Sequence, residues 1–217
     1  CFRGRHIMMG YLAQPKMGKA HVKEIKQKLA DAIDQDGWLH SGDKGCMGQN
    51  GFVKITGRYK ELIIGAGGEN IAPVPIEDNI KKLCPGVSNV MMIGDKRKFN
   101  VAIVTLKAVG ATGELPGGDE LQPDGAGICS SGVQTISAAR DDETCIAAIT
   151  AAIAATNKDG SVCPSNAAKV QKFTILRTDF SVTTEELTPT LKLKRCVNRL
   201  FRGVNRLFGA HADAQAE

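Results

Sequence analysis

Apolar residues recur along this chain at two periods, and the switches between them divide it into elements. Residues 5–12 look like a strand, and Lys19–Asp34 places Val22, Ile25, Leu29 and Ile33 on one side of an amphipathic helix with a solvated charged face. Asp36-Gly37 stops that helix. Asn50-Gly51, set between Gly45–Met47 and Phe52–Thr56, is a strong hairpin signal, because both positions tolerate the positive φ that a tight turn demands. Tyr59–Ile64 predicts another short strand. Pro73 and Pro75 then precede a helical stripe of Ile76, Ile80 and Leu83. Val87–Ile93 and Asn100–Leu106 are rich in β-formers, with Lys96-Arg97-Lys98 read as a solvated turn between them.

The pattern breaks over residues 109–134, where glycine, proline, serine and acidic residues dominate; this predicts a flexible insertion without a site. Asp141–Asn157 follows as a helix, acidic at its start as the dipole prefers, with Cys145, Ile146, Ile149 and Ile153 turned inward. Val170–Leu176 predicts a strand and Phe180–Lys194 an extended loop. From Arg195 to Phe208 a local duplication, Val-Asn-Arg-Leu-Phe, puts Val197, Leu200, Phe201, Val204, Leu207 and Phe208 on one helical face, with Arg199, Arg202 and Arg206 elsewhere. Two readings stand for it: a helix docked on its own domain, or a basic amphipathic contact with an anionic membrane surface. Together the elements predict an α+β (α/β) architecture.

Composition narrows the function classes. At 217 residues the chain has room for a real core, in one large domain or two small ones. Aromatics make up only 5% of it, too few for the stacking platforms of single-stranded nucleic-acid binders, and the net charge of +5 suits anionic small molecules without requiring nucleic acid. Seven scattered cysteines form no Cys-x-x-Cys pair and the four histidines show no metal spacing, which predicts reduced thiols in a cytosolic setting and no metal site. No apolar run reaches the roughly 20 residues of a membrane span. A first residue other than Met fits a piece of a longer product.

The chemistry concentrates in three segments. Gly57-Arg58-Tyr59-Lys60-Glu61-Leu62-Ile63-Ile64 runs into Gly65-Ala66-Gly67-Gly68-Glu69-Asn70-Ile71-Ala72-Pro73. Glycines there allow backbone amides to approach a ligand closely, Arg58 offers a planar donor fork for phosphate or ribose oxygens, and Lys60 a mobile point charge. Upstream lies Gly37-Trp38-Leu39-His40-Ser41-Gly42-Asp43, whose carboxylate can accept from two hydroxyls of a ribose diol; its alternative is a turn aspartate bonded to its own backbone. Downstream lies Leu187-Thr188-Pro189-Thr190-Leu191-Lys192-Leu193-Lys194-Arg195.

In this order the three segments resemble the last three signature motifs of the adenylate-forming acyl-CoA synthetases, and Gly4–Leu12 and Asp179-Phe180-Ser181 fit the bubblegum-type long-chain fatty-acid–CoA ligases. The resemblance covers most of residues 4–202, corresponding to the C-terminal part of such an enzyme. It implies that residues 1–57 end the large AMP-binding domain and 58–217 form a small mobile lid, with a three-stranded sheet and flanking helices. It further implies Asp43 and Arg58 as nucleotide contacts, Lys60 as hinge, Gly65, Gly67, Gly68, Glu69 and Asn70 as the CoA-facing loop, and Lys192 as the catalytic lysine. His40 is a bystander on this reading, and Arg195 anchors the helix that follows it. Ala66 stands where the family more often has Ser or Thr. Substrates would be ATP, CoA and a long-chain fatty acid, with Mg²⁺ ligated outside these residues. The expected setting is cytoplasmic, peripheral to the endoplasmic reticulum or another membrane through the tail. The family's phosphate loop and fatty-acid tunnel are absent from these residues, so the chain alone is expected to be inactive. The competing reading is a non-catalytic docking or nucleotide-binding module.

Overall fold

The computed structural model describes residues 1–195. The chain divides into two compact units, Cys1–Lys60 and Glu61–Glu217, a boundary three residues later than 57/58. The duplicated tail, with its helix and membrane readings, lies outside the described residues.

In the first unit, α1 (Lys19–Ala32) follows a 3-10 turn at Pro15–Met17, with Gly18 (φ 92°) joining the two. Its stripe of Val22, Ile25, Leu29 and Ile33 is half-buried, and no residue of the helix is fully buried. The chain then turns on Asp34, whose Oδ1 accepts from the N–H groups of Asp36 (3.0 Å) and Trp38 (2.9 Å). Residues 5–12 form no strand. A strand needs a paired neighbour, and this segment joins no strand among the described residues, leaving Met9 and Leu12 exposed. The Asn-Gly hairpin forms as its sequence predicts. β1 (Asp43–Met47) pairs antiparallel with β2 (Val53–Arg58), Met47 opposite Val53, and Gly51 turns at φ 79°. A bulge between Lys44 and Gly45 shifts the ladder so that Asp43 ends opposite Arg58.

The predicted strand over Tyr59–Ile64 is mostly a 3-10 turn, Tyr59–Glu61, with only Ile63–Ile64 (β3) extended. Its antiparallel partner β4 (Asn70–Ile71) is two residues long, so no longer ladder is available. In the second unit, α2 (Pro73–Leu83) takes both prolines into its first turn, where the missing N–H groups cost nothing. The main sheet runs β5 (Val87–Ile93), β6 (Asn100–Leu106), β7 (Val170–Ile175): β5 and β6 antiparallel, β6 and β7 parallel. Every residue of β6 is buried, as a central strand covered on both faces should be. One face packs Val90, Met92, Ala102 and Val104 with Ile76 and Ile80 of α2 and Ile149 and Ile153. The other packs Met91, Ile93, Val101 and Ile103 with Phe180 and Leu187.

Residues 109–134 are folded, contrary to their composition. Val109 donates to Glu120 (2.8 Å), Leu121 to Gln134 (2.8 Å) and Gln122 to Lys107 (2.9 Å). Leu121 is buried, and Ala111, Ala126, Ile128, Cys129 and Val133 pack on the same core. The glycines and prolines here make turns, one of them a short helix, α3 (Pro123–Ala126), and each turn sends an apolar residue inward. A second short helix, α4 (Ile136–Ala139), is capped by the Thr135 hydroxyl. α5 (Glu143–Lys158) starts at an Asp142 cap whose Oδ2 accepts from the Cys145 N–H at 2.8 Å. Cys145, Ile149 and Ile153 face inward as predicted, whereas Ile146 faces out. All six cysteines among the described residues are free thiols, and burial pushes Cys145 up to about 12. No described helix is long and apolar enough to cross a membrane.

Candidate functional site

The first unit brings two of the predicted site residues together. The shifted ladder makes Asp43 and Arg58 cross-strand neighbours, with Asp43 Oδ1 3.6 Å from Arg58 Nε. That separation is too long for a firm hydrogen bond, and both side chains are partly open to solvent. The pair thus leaves a carboxylate and a planar donor fork side by side with capacity for a ligand's hydroxyls and oxyanions. Asp43 also has part of its alternative reading, since its N–H donates to Ser41 Oγ at 3.2 Å. Its carboxylate is not consumed in that turn. His40, a bystander by sequence, holds Asp34 Oδ2 at 2.8 Å and lies 3.3 Å from the Cys1 thiol. The Trp38 N–H first, then His40, hold the Asp34 carboxyl below the usual aspartate range. Lys60 is the last residue of this unit.

The second unit carries the glycine loop and Lys192. Residues 65–69 link β3 to β4: the Gly65 N–H donates to Glu69 (3.1 Å) and Gly68, at φ 79°, closes back on Gly65 (2.8 Å). A Cβ built on Gly65, Gly67 or Gly68 would meet no atom of the described residues within 4 Å. No described residue fills this side of the loop, so a ligand could lie directly on its backbone. The Lys96-Arg97-Lys98 turn does more than sit in solvent. Lys96 donates its N–H to Ile64 (2.7 Å), and Arg97 accepts from the Ala66 N–H (3.1 Å), while Asp95 Oδ1 accepts from the Ile64 N–H at 3.0 Å. The basic turn therefore braces the glycine loop from behind.

Lys192 sits exposed near the neck of a short closed loop whose tip is Pro189–Leu191. Thr188 and Lys192 exchange bonds, the Thr188 N–H donating to the Lys192 carbonyl (2.8 Å) and the Lys192 N–H to Thr188 Oγ1 (3.0 Å). Leu191 takes a left-handed φ of 57° to make the turn, and Leu187 bridges Leu193 across its neck. Upstream, the predicted extended stretch is pinned to the sheet. Asp179 accepts from Ser88 (2.5 Å), Thr105 (2.5 Å), Asn89 (2.9 Å) and the Phe180 N–H (2.8 Å), and Phe180 is buried against β5 and β6. Ser181, Thr184 and the buried Glu186 form the next knot, with the Thr184 hydroxyl donating to Glu186. Lys192 itself stays exposed.

Arg195 makes a contact that the sequence did not foresee, while the helix it is expected to anchor lies outside the described residues. The guanidinium forks onto Glu77 of α2, Nη1 to Oε1 at 2.6 Å and Nη2 to Oε2 at 2.8 Å. Burial alone would lower its pKa; the Glu77 hydrogen bonds and charge, with Glu61 behind them, hold it above the ordinary arginine value. A glutamate next to Ile76 in an apolar stripe was the signal available, but nothing local joins positions 118 residues apart.

Solved structures share this fold. The chain aligns over 94% of its length with 26% of the adenylation domain of a carboxylic acid reductase from Segniliparus rugosus, at TM-score 0.60 and 16% identity. The corresponding domain of the Mycobacterium chelonae enzyme aligns over 84% of the chain at TM-score 0.59 and 18% identity. Residues 60–120 match the family described as AMP-binding enzyme C-terminal domain. The chain thus shares the fold of the matched part of adenylation domains and carries, over residues 60–120, a stretch of the AMP-binding enzyme C-terminal domain type. Over most of its length it is similar to bubblegum-type long-chain-fatty-acid–CoA ligases. It is 46% identical over 203 residues to the long-chain-fatty-acid–CoA ligase ACSBG2 of Gallus gallus and 41% identical over 200 residues to ACSBG1 of Homo sapiens. Each alignment takes in about nine-tenths of the chain (91% and 90%), which spans only about a quarter (25% and 26%) of those relatives' lengths.

Proposed function

We propose that this chain supplies the lid and part of the nucleotide site of a long-chain fatty-acid–CoA ligase, and that it is inactive without the rest of the enzyme. The observation that carries this reading is its 46% identity, over 91% of its length, to a long-chain-fatty-acid–CoA ligase. In the first half-reaction a carboxylate oxygen of the fatty acid attacks the α-phosphorus of ATP, and pyrophosphate leaves. Asp43 accepts from the two ribose hydroxyls and Arg58 contacts oxygens between ribose and α-phosphate. The Lys192 ammonium, exposed on a braced loop, stabilises charge spread over the phosphoryl oxygens in flight.

In the second half-reaction the CoA thiolate attacks the acyl carbon, AMP leaves, and the thiol proton passes to solvent. Backbone rotation at Lys60 withdraws Lys192 and brings up the glycine loop, whose open backbone side suits a pantetheine arm. The last residue of the first unit is a natural place for such rotation. Mg²⁺ would accompany ATP; no group of three or more His, Cys, Asp or Glu able to hold a metal occurs among the described residues, and no step is assigned to it.

The test is a chimera in which this chain replaces the matched quarter of the Gallus gallus relative, given palmitate, ATP and CoA. AMP release by the chimera and none by the chain alone is expected. Lys192→Ala in the chimera should slow palmitoyl-adenylate formation on the order of 10²–10³-fold while sparing thioester formation from supplied palmitoyl-adenylate. Equal loss in both half-reactions would refute the role given to Lys192.

A further inference from the structure

We propose that Arg195 is a positioning residue for adenylation, locking the base of the Lys192 loop to α2 and to the turn just after Lys60. This rests on the reading of Lys192 given above. Lys192 lies three residues before Arg195, and the loop that carries it has two anchors. One is upstream, where the Lys194 N–H donates to Glu186 at 2.8 Å and Leu187 is buried. The other is the guanidinium fork on Glu77, with bonds of 2.6 and 2.8 Å.

Glu77 is itself fixed. It is 5% exposed, and its Oε1 also accepts from the Met92 N–H at 2.7 Å, so the carboxylate joins α2 to β5 before it meets Arg195. A bidentate pair between planar groups sets both distance and angle, which a lysine or an apolar contact does not. A buried ion pair adds little net stability over a well-packed apolar pair of the same volume, so geometry is what this one contributes. A third arm points toward the hinge. Arg195 Nε is buried with no hydrogen-bond partner and lies 3.9 Å from Glu61 Oε2. Glu61 directly follows Lys60, so one guanidinium touches the segment next to the pivot, the helix and the catalytic loop together. A lid moving about Lys60 then carries the lysine as a rigid body, without slack in the loop.

Two measurements test this. In the chimera, Glu77→Gln and Arg195→Lys should lower the rate of palmitoyl-adenylate formation about 10–100-fold, the scale of an ångström of misplacement, and leave thioester formation from supplied palmitoyl-adenylate near wild type. The paired replacement Glu77→Leu/Arg195→Met restores packing without the fork. It strands the Met92 N–H and should melt somewhat below wild type, yet when fully folded it should remain slow in adenylation while making thioester from supplied palmitoyl-adenylate at the wild-type rate, which a merely structural role would not produce. Wild-type adenylation by that pair, or parallel losses in both half-reactions, overturns the proposal. In the chain by itself, hydrogen exchange at the Leu191, Lys192 and Lys194 amides should quicken at least about 10-fold in Glu77→Gln with β6 unchanged; unchanged exchange there overturns the proposal as well. An inactive wild-type chimera would defeat the ligase reading instead, and the exchange experiment would still decide for or against the lock.

Discussion

Replacing Asp179 separates two ways in which a buried carboxylate can hold a loop. Its Oδ2 accepts from Ser88 alone, and Oδ1 from Thr105, Asn89 and the Phe180 N–H. Asp179→Asn can keep its carbonyl at the crowded Oδ1 position and put its NH₂ where Oδ2 was, because the Ser88 hydroxyl can rotate to accept. Only charge assistance is lost, at about 1 kcal/mol. Asp179→Ala strips all four bonds. Ser88 and Asn89 are half-buried and can recruit water, whereas Thr105 and Phe180 are fully buried and cannot. Two stranded donors at about 1–3 kcal/mol each put the alanine variant near 4 kcal/mol. Urea titration of the full chain by circular dichroism reads both values. For a domain of this size the alanine change should lower Tm by roughly 8–16 °C and the asparagine change by only a few degrees. Equal destabilisation by the two variants would show that the polarity at Oδ1 is not what holds this loop, and would refute the reasoning.

Thiol labelling and proteolysis test other parts of the structure. At pH 8 a maleimide should modify Cys1 and Cys46 rapidly in the native chain and spare Cys84, Cys145 and Cys163 until urea is added, because burial keeps those three protonated and covered; mass spectrometry of the labelled peptides reads the order. Limited proteolysis should leave residues 109–134 uncut under native conditions, and Leu121→Ala, which removes the buried side chain beneath the segment, should expose it to cleavage at a cost of about 2–5 kcal/mol.

Where structure depends on local pattern, it was legible. The stripe of α1, the Asn-Gly turn and the β5 and β6 runs all appear close to where the sequence puts them, because helix period, turn conformation and β-propensity are set within a few residues. Distant partners were hidden. Composition marked 109–134 as loose, since turn residues look the same whether their loop is solvated or folded back on a core; only contacts such as Leu121 with that core distinguish the two. Residues 5–12 failed in the opposite sense, reading as a strand yet pairing with no strand among the described residues. Of the site, the adjacency of Asp43 and Arg58 depends on a bulge at Lys44/Gly45 that no residue announces, and the brace behind the glycine loop depends on backbone bonds from positions 95–97. The motif order carried the likeness to acyl-CoA synthetases. It could not carry the Arg195–Glu77 fork, which exists only once the sheet has brought both ends of the unit together.

The parallel pairing of β6 with β7 also sets an order of assembly. β5 and β6 form a hairpin from neighbouring sequence, but the other side of β6 waits for a strand whose first pair is Asn100 with Val170, so the whole of α5 and the turns before it must be made first. On a ribosome, the most apolar strand of this unit therefore spends that interval with open amides and carbonyls along one side. That is the period in which a nascent chain of this kind is most prone to intermolecular strand addition and most dependent on chaperones.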